Sequence, residues 1–369
     1  MARQLFRDFA EREVKPLAKE VDEQERYPAE TVAKMAGYGF MGIPYPAEIG
    51  GQGCDVLTYN LCVEELSRVC ATTGVIVATH TSLACEPIFR RGTPEQKEKY
   101  LRPLLTGKTL GAFGLTEPNA GTDASGQQSK AVLDGNHYIL NGSKIFITNG
   151  GVADTFIIFA MTDKSKGTRG ISAFIIEKGF PGFSIGKKEL KMGIRGSSTC
   201  ELVFANCIVP KENLLGPENK GFGIAMATLD GGRIGIAAQA LGIAQGAFDE
   251  AVKYVKERKQ FGKPIASFQN TQFRLADMKT RIEAARLLVY SAATAMDCRK
   301  RCTTEAAMAK LYASETAMEI TTRCVQLLGG YGYTREYPVE RMMRDAKITE
   351  IYEGTSEVQR MVIAGDVLK

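Results

Sequence analysis

The spacing of apolar residues changes twice along this chain of 369 residues, and that change limits the folds open to it. Residues 1–110 carry apolar side chains at helical spacing. Residues 111–216 consist of short β-rich runs bounded by tight turns, and residues 217–369 return to long helical periods. We therefore predict a mainly α, α+β fold with three domains at these boundaries: an N-terminal α-helical domain, a middle β domain and a C-terminal α-helical bundle.

Two dipeptides in the middle region have the composition of tight turns. Asp134-Gly135 and Asn141-Gly142 both lie between β-rich runs, and this is the strongest short signal for a β-hairpin. The sequence therefore predicts a hairpin turn at each of them.

Charge and hydropathy exclude several classes of function. The 47 basic and 42 acidic residues are spread evenly along the chain and leave a net charge of only +5, so nucleic-acid binding is not expected. No apolar run approaches the roughly 20 residues of a membrane span. The first residues, MARQLFRDFAEREV, match neither a secretory signal nor a transit peptide, which predicts a cytoplasmic location, as in bacteria, unless a mitochondrial transit peptide has been removed.

The cysteines and histidines limit the chemistry further. Nine cysteines without CxxC pairs indicate reduced thiols, and Cys298 and Cys302 have no histidine cluster beside them, so we expect no metal site. Because His80 and His137 are the only histidines, the base of any reaction is expected to be a carboxylate. The chain also lacks a Rossmann glycine fingerprint and a P-loop.

Three stretches have compositions that suit a ligand, although each also fits an ordinary structural role. GAFGLTEPNAGTDAS (111–125) combines small residues with hydroxyls, as in a loop against a ligand or a plain polar loop leaving a strand. KIFITNG (144–150) is a strand ending in a turn. In the stretch 258–273, Arg258 could pair with a phosphate and Phe261 could stack, or both could lie on a solvated helix end.

A fourth stretch, 326–365, contains the candidate base. Glu353 lies between Tyr352 and Gly354 in IYEGTSEVQ, ahead of a helix in which Ser356 and Gln359 match a capping box. Burial would raise the pKa of this carboxylate, whereas amides at the helix start would lower it. A surface glutamate in a turn is the alternative.

Together these stretches resemble the acyl-CoA dehydrogenase family over essentially the whole chain. LTEPNAGTDAS, NGSKIFITNG, ERKQFG, the glycines of QLLGGYGY and IYEGTSEVQR occur in the order and at the distances of that family. The likeness is to its short-chain, butyryl-CoA branch, notably in TLDGGRIGIAAQALGIAQ (228–245). It implies a β-barrel-like middle domain and a C-terminal four-helix bundle. The start is shorter than the family leads us to expect, as though part of the first helix were missing.

The resemblance implies FAD bound between the β domain and the C-terminal bundle, across a subunit boundary. The residues matched to the flavin and its pyrophosphate, to the isoalloxazine ring and to contacts just after the base are Phe113, Leu115, Thr116, Gly121, Thr122, Phe146, Ile147, Thr148, Thr355 and Glu357. The residues matched to the adenine-dinucleotide half, reached from a neighbouring subunit, are Arg258, Phe261, Gln269, Gln326, Gly329 and Gly330. Phe146 stands where many relatives carry tryptophan, which preserves stacking but not the electronic effects of an indole.

The resemblance also implies the reaction and the substrate contacts. Glu353 would remove the α-proton of an acyl-CoA thioester while a hydride leaves the β-carbon, and residues framing the thioester would be Thr122, Asp230, Arg233, Tyr352 and Gly354. One subgroup of the family places its base at the position of Gly232, which cannot serve here, and this argues against the isovaleryl and long-chain branches.

The expected function is therefore FAD-dependent dehydrogenation of butyryl-CoA to crotonyl-CoA, or the reverse reduction, by a homotetramer (a dimer of dimers) that exchanges electrons with an electron-transferring flavoprotein. The alternatives are an enzyme of the same fold for branched-chain, glutaryl or aryl-enoyl esters, an acyl-CoA oxidase, and a non-catalytic CoA-binding protein.

Overall fold

The structure is a computed structural model that describes residues 1–298 and 302–369. Its N-terminal part consists of short helices joined by π and 3-10 turns. One of these turns, the π segment Thr79–Cys85, is buried throughout. The helices are α1 (Ala2–Phe9), α2 (Ala18–Glu23), α3 (Ala29–Gly37), α4 (Val56–Val69), α5 (Ala71–Ala78), α6 (Glu86–Arg91), α7 (Pro94–Gln96) and α8 (Arg102–Leu105).

The middle part is a single eight-stranded sheet. Its strand order is β6-β7-β3-β2-β4-β5-β8, and β1 pairs with β4 in parallel. The two strands β4 and β5 are buried along nearly their whole length, which explains their unbroken apolar sequences. The strands are β1 (Gly111–Gly114), β2 (Lys130–Asp134), β3 (His137–Ile147), β4 (Thr155–Met161), β5 (Ile171–Glu177), β6 (Phe183–Lys188), β7 (Cys200–Pro210) and β8 (Leu214–Leu215).

One of the two predicted hairpin turns is confirmed and the other is wrong. Asp134 pairs with His137 across a tight turn between β2 and β3, as expected. Gly142 instead lies inside β3, with φ +142° at a shift of the register with β7. A Cβ at Gly142 would lie 2.3 Å from Oγ of Ser129, so this glycine permits close strand packing and makes no turn.

The C-terminal part is built on three long helices. At Gly242 and Gly246 of α9 a Cβ would lie 2.3 Å and 1.9 Å from backbone oxygens of α4, so these two helices pack with their backbones nearly in contact. A short hairpin, β9 (Lys259–Gln260) with β10 (Lys263–Pro264), follows α9. The helices are α9 (Gly221–Glu257), α10 (Gln269–Asp297), α11 (Thr303–Leu328), α12 (Val339–Lys347) and α13 (Ser356–Val367).

The predicted mainly α, α+β fold class is therefore confirmed, and the domain boundaries at 110/111 and 216/217 stay predictions. None of the helices in the described ranges is both long and apolar enough to cross a membrane.

Two buried polar side chains join the helical part to the sheet. His80 bonds the carbonyl of Leu104 through Nε2 and accepts from the amide of Gly111 through Nδ1. Burial lowers the pKa of His80 to about 4, so the ring is neutral and Nε2 carries its proton. Asn149 donates to the carbonyls of Ile76 and Gly111. The start of β1 is thus fixed against the helical segment that borders the candidate site.

Candidate active site

Glu353 lies in the loop between α12 and α13, and its side chain reaches across to α9. Its backbone is left-handed, with φ +55°, and the following Gly354 has φ +97°. A Cβ at Gly232 would lie 2.1 Å from Oε2 of Glu353 and 2.7 Å from Leu83. The missing side chain at Gly232 therefore leaves the space that the Glu353 carboxyl group occupies. Glu353 and Gly232, the two positions at which the resemblance places a base, thus lie next to each other in this chain.

Two buried side chains hold the loop of Glu353 through its carbonyl oxygens. Nζ of Lys310 donates to the Gly354 carbonyl at 2.7 Å. Nε2 of Gln359 donates to the same carbonyl at 2.8 Å and to the Glu353 carbonyl at 3.3 Å. Two successive peptide groups are therefore fixed, which maintains the uncommon backbone conformation of the glutamate.

The predicted capping box at Ser356 and Gln359 is wrong. The N-cap of α13 is Thr355, whose Oγ1 accepts from the amide of Val358 at 3.3 Å. Ser356 is the first residue of the helix, and its buried hydroxyl has no hydrogen-bond partner among the described residues. Because the helix is capped one residue earlier than expected, Gln359 is free to bond the loop carbonyls.

The environment of the Glu353 carboxyl group is that of a base. Burial raises its pKa to about 8, while the positive charges of Lys310 and Arg233 act in the opposite direction. Burial likewise lowers the pKa of Lys310 to about 8, against the attraction of Glu353. Oε2 of Glu353 is buried and accepts no hydrogen bond from the residues described. A carboxyl group with a raised pKa and an unused oxygen suits proton abstraction near neutral pH.

Of the predicted substrate residues, Asp230 and Arg233 lie one turn apart on α9 beside Gly232. Nη1 of Arg233 donates to Asp230 at 2.8 Å, and the other oxygen of Asp230 accepts from Thr303 at 2.7 Å. Nε of Arg233 is buried and has no partner in the described parts of the chain. The pair is thus held in place while one N–H remains available to a ligand.

The side chain of Tyr352 reaches α9 through its hydroxyl group. Its hydroxyl donates to Oε1 of Gln239, whose amide nitrogen donates to the carbonyl of Ala71 at 3.0 Å. The hydroxyl therefore anchors the loop to α9, and a direct contact of Tyr352 with substrate stays a prediction.

The two predicted flavin segments lie side by side. The amide of Ile145 donates to the carbonyl of Thr116 at 2.9 Å, which joins the loop after β1 to the end of β3. Phe113 and Leu115 belong to the same apolar cluster as Leu83, the residue that touches Gly232. Apolar packing through Leu83 thus links these segments to the surroundings of the Glu353 carboxyl group.

The outer residues of these segments are accessible. Gly121 and Thr122 are exposed, Thr148 is half-buried and Ile147 is buried. Phe146 has φ +59° and is 60% exposed, an unusual conformation and position for a phenylalanine. Thr355 and Glu357 lie at the start of α13, next to the loop of the base.

A buried ion pair that the sequence analysis missed organises the loop 115–129. Nζ of Lys144 donates to Glu117 at 2.7 Å, to the Leu115 carbonyl at 3.1 Å and to Gln127 at 3.1 Å. Glu117 also accepts from the backbone amides of the residues 128 and 129. Lys144 occupies an inward position in the alternation of β3, and this signal could have identified it.

Lys310 was missed for a similar reason. It lies on the face of α11 that also carries Ala306, Ala313 and Ala317, all buried. A lysine at an apolar position of the helical period is unusual, and this signal was available in the sequence.

The six residues matched to the adenine-dinucleotide half lie elsewhere, at the opposite end of the bundle. Arg258 follows the end of α9, about 39 Å from Gly232 along the helix axis given the usual rise per residue. Arg258, Gly329 and Gly330 line a surface cavity of about 560 Å³. Phe261, in the turn between β9 and β10, is 92% exposed, and Gln269 and Gln326 are exposed at the nearby helix ends. The structure does not bring this group together with Glu353.

The part of the chain that the structure describes contains no group of acidic, cysteine and histidine side chains able to hold a metal ion.

Comparison with known proteins assigns the whole chain to one family. Its N-terminal, middle and C-terminal domain profiles, each described as an acyl-CoA dehydrogenase domain, match residues 1–108, 112–207 and 219–368. The short-chain specific acyl-CoA dehydrogenase of Clostridium acetobutylicum is 65% identical over 369 residues, which are 100% of this chain and 97% of the relative. A subunit of the caffeyl-CoA reductase–Etf complex of Acetobacterium woodii is 54% identical over 370 residues, 100% of this chain and 98% of the relative.

The fold agrees with these matches. The solved structure of butyryl-CoA dehydrogenase from Megasphaera elsdenii superposes with a TM-score of 0.98 at 56% identity, covering 100% of this chain and 97% of that one. The chain belongs to the acyl-CoA dehydrogenase family of flavin-dependent oxidoreductases.

Proposed function

We propose that this protein catalyses the FAD-dependent α,β-dehydrogenation of short-chain acyl-CoA thioesters, converting butyryl-CoA to crotonyl-CoA, with Glu353 as the base. The observation that carries the proposal is the Glu353 carboxyl group, whose pKa is raised to about 8 and whose buried Oε2 lies over Gly232 with no hydrogen-bond partner in the described ranges. The preference for short acyl groups is inferred from the names of the Clostridium and Megasphaera relatives.

The loop of Glu353 offers two groups to one thioester. Its carboxylate oxygen is placed to accept the α-proton. Its backbone amide donates to no described residue, so it is available to the thioester carbonyl, where negative charge develops as the proton leaves. FAD, when bound, supplies the acceptor for the hydride from the β-carbon. The unbonded N–H of Arg233 and the residues Thr122 and Gly354 would frame the thioester.

The residues present fit a flavin. The joined segments 113–122 and 146–148 offer threonine hydroxyls, backbone amides and an exposed aromatic ring, and a Cβ at Gly121 would meet open space, so a ligand can approach the backbone there. Phe113, Leu115, Thr116, Thr148, Thr355 and Glu357 would complete the flavin contacts.

Cofactor binding is proposed to require a second subunit. Arg258 lies about 39 Å from Gly232 along α9, and this separation supports a cofactor site whose two halves come from different subunits. A neighbouring subunit would contribute Arg258, Phe261, Gln269, Gln326, Gly329 and Gly330, within a homotetramer built as a dimer of dimers.

The proposed electron partner is an electron-transferring flavoprotein, and the proposed location is the cytoplasm. The likeness to a subunit of a caffeyl-CoA reductase–Etf complex supports this partner. The same likeness favours a second candidate function, the reduction of aryl-enoyl-CoA esters.

The proposal is tested by Glu353→Gln, which keeps the shape of the side chain and the backbone amide but removes the base. The FAD-loaded variant is mixed anaerobically with butyryl-CoA, and flavin reduction is followed by absorbance. We expect a rate lower by about 10⁴-fold, the upper range for a positioned base, with FAD still bound. Glu315→Gln, on the outer face of α11, is the matched control and should reduce normally. Reduction of the Glu353 variant within tenfold of the unaltered protein would refute the assignment.

The substrate class is tested separately by steady-state kcat/KM for a series of CoA esters. Because each methylene in an apolar pocket is worth about 1 kcal/mol, we expect a maximum near four carbons. A higher value for octanoyl-CoA, or for an aryl-enoyl ester assayed in the reductive direction, would overturn the short-chain assignment but not the role of Glu353.

A further inference from the structure

Lys310 is a charged residue on the buried apolar face of a helix, a position that packing alone does not explain. It is 0% exposed, on the apolar face of α11. An ammonium group has three N–H donors, yet among the described residues its one acceptor is the Gly354 carbonyl. Burying a charge with so little compensation is unfavourable, so the position of Lys310 calls for a functional reason.

We propose that Lys310 is a positioning residue for Glu353: its ammonium holds the Gly354 carbonyl and directs a positive charge at the carboxylate of the base. This inference rests on the proposed role of Glu353 and names a residue that acts through it.

Lys310 holds a part of the backbone that has an uncommon conformation. Glu353 and Gly354 both have positive φ, a combination that a glutamate rarely adopts. The bond from Lys310 fixes the peptide group directly after Glu353, and Gln359 fixes the same carbonyl from α13. The two donors come from different helices, so the loop is held from two sides. The direction of the Glu353 side chain is therefore set by contacts outside its own loop.

Two positively charged side chains act on the Glu353 carboxylate. Lys310 from α11 and Arg233 from α9 lower the pKa of Glu353, and Lys310 has the larger effect of the two. Arg233 is already paired with Asp230, whereas Lys310 has no ion pair within 4 Å in the described parts of the chain. Lys310 itself faces Glu353, Arg233, Glu350 and Glu357. Loss of its charge would leave the base harder to ionise.

The test compares Lys310→Met with the unaltered enzyme, both loaded with FAD, by measuring kcat and KM for butyryl-CoA between pH 6 and 10. A neutral methionine of similar length should move the acid limb of the kcat profile upward by about one pH unit or more, because the base loses a neighbouring positive charge. At pH 7 this lowers kcat by about tenfold, and raising the pH restores it because Gln359 still holds the Gly354 carbonyl. KM and the FAD content should change little.

Lys279→Met, at an exposed site on α10, is the control and should leave the profile unchanged. Lys310→Arg keeps the charge and should keep the acid limb where it is. If Lys310→Met does not accumulate as a folded protein, the arginine variant decides: a shift of its acid limb by about one unit would overturn the charge argument.

The outcomes separate this inference from the proposed function. An unmoved acid limb in Lys310→Met, together with an inactive Glu353→Gln, would refute the role of Lys310 and leave the base in place. An active Glu353→Gln would refute the base itself, whatever Lys310→Met does.

Discussion

Two loops of this protein are each held by a fully buried lysine, and they differ in how completely their polar groups are bonded. In the loop 115–129, Lys144 donates to three oxygens and its partner Glu117 accepts from two backbone amides as well. In the loop 351–359, Lys310 donates to a single carbonyl as far as the structure describes the chain. Burial lowers the pKa of both lysines to about 8, and the nearby carboxylate opposes the shift in each case, Glu117 at Lys144 and Glu353 at Lys310.

Several of the polar groups left unbonded lie around the second loop. Within the described residues, four buried polar atoms without a hydrogen-bond partner belong to it or face it: Oε2 of Glu353, Nε of Arg233, Oγ of Ser356 and Oε1 of Gln359. None of the side chains in the loop 115–129 is in that condition. Buried polar groups are normally satisfied, and an unsatisfied one calls for an explanation such as a catalytic role. The comparison therefore separates a loop whose buried polar side chains are all bonded from a loop that keeps unbonded polar atoms beside the candidate base.

The largest effect that we predict tests the first loop. Lys144→Met leaves the Glu117 carboxylate buried beside an apolar side chain and should lower the free energy of unfolding by about 3–5 kcal/mol. Lys310→Met loses one hydrogen bond and should cost only about 1 kcal/mol. Urea unfolding of the three proteins in the same buffer measures both changes.

A double variant shows whether the unpaired charge is the cause. Adding Glu117→Gln to Lys144→Met removes the buried carboxylate and should recover roughly half of the lost stability, since the two residues are in direct contact. Equal costs for Lys144→Met and Lys310→Met would contradict the distinction between the two loops.

A smaller effect is predicted for the pH dependence of stability, and it tests the second loop. The pKa of Glu353 is raised from 4.5 to about 8, so the folded protein retains a proton that the unfolded chain releases. Its contribution to stability is therefore fully present below pH 4.5 and is lost as the pH rises through 8. Lys310 titrates in the opposite sense, since its lowered pKa adds stability only as the pH rises from about 8 toward 10.5.

Glu353→Gln should remove the contribution of the Glu353 carboxyl group to the pH dependence of stability. Between pH 5 and 8 the variant should gain stability relative to the unaltered protein, by up to about 1.4 kcal/mol for each pH unit. Urea midpoints at several pH values measure this difference, and Glu315→Gln again serves as the control. A constant difference between variant and parent across this range would mean that the carboxyl group is not perturbed by burial.

The features that could be predicted from the sequence are those that depend on residues close together in the chain. The two changes of apolar period predicted the order of helices, strands and helices that the structure has. The local pattern around Glu353 left a surface glutamate as an alternative, the resemblance singled this residue out as the base, and that role stays a prediction. The joining of segments 113–122 and 146–148 also agrees with what the resemblance implied, although their contacts with FAD stay predictions.

The roles of Lys144 and Lys310 could not be predicted from short stretches of sequence, since each lysine bonds a partner that is distant in the chain. Lys144 bonds Glu117, 27 residues away, and Lys310 bonds Gly354, 44 residues away. The inward position of each lysine was visible in the alternation of β3 or in the period of α11, but the identity of its partner depends on tertiary packing. The turn expected at Gly142 failed for the same reason, because only the approach of Ser129 explains that glycine.

The smallest predicted effect separates two adjacent hydroxyl groups in the second loop. Oγ1 of Thr355 caps α13 by accepting from the amide of Val358, so Thr355→Ala should cost about 1 kcal/mol of stability. The hydroxyl of Ser356 is buried and bonds to no described residue, so Ser356→Ala removes an unsatisfied group from the first helical turn and should be neutral or slightly stabilising. The two variants delete one hydroxyl each from neighbouring positions, and each serves as the control for the other in urea unfolding. If Ser356→Ala were as costly as Thr355→Ala, the serine would have to bond a group in the folded protein. The contrast between a saturated loop and one with unused polar atoms would then lose one of its four members.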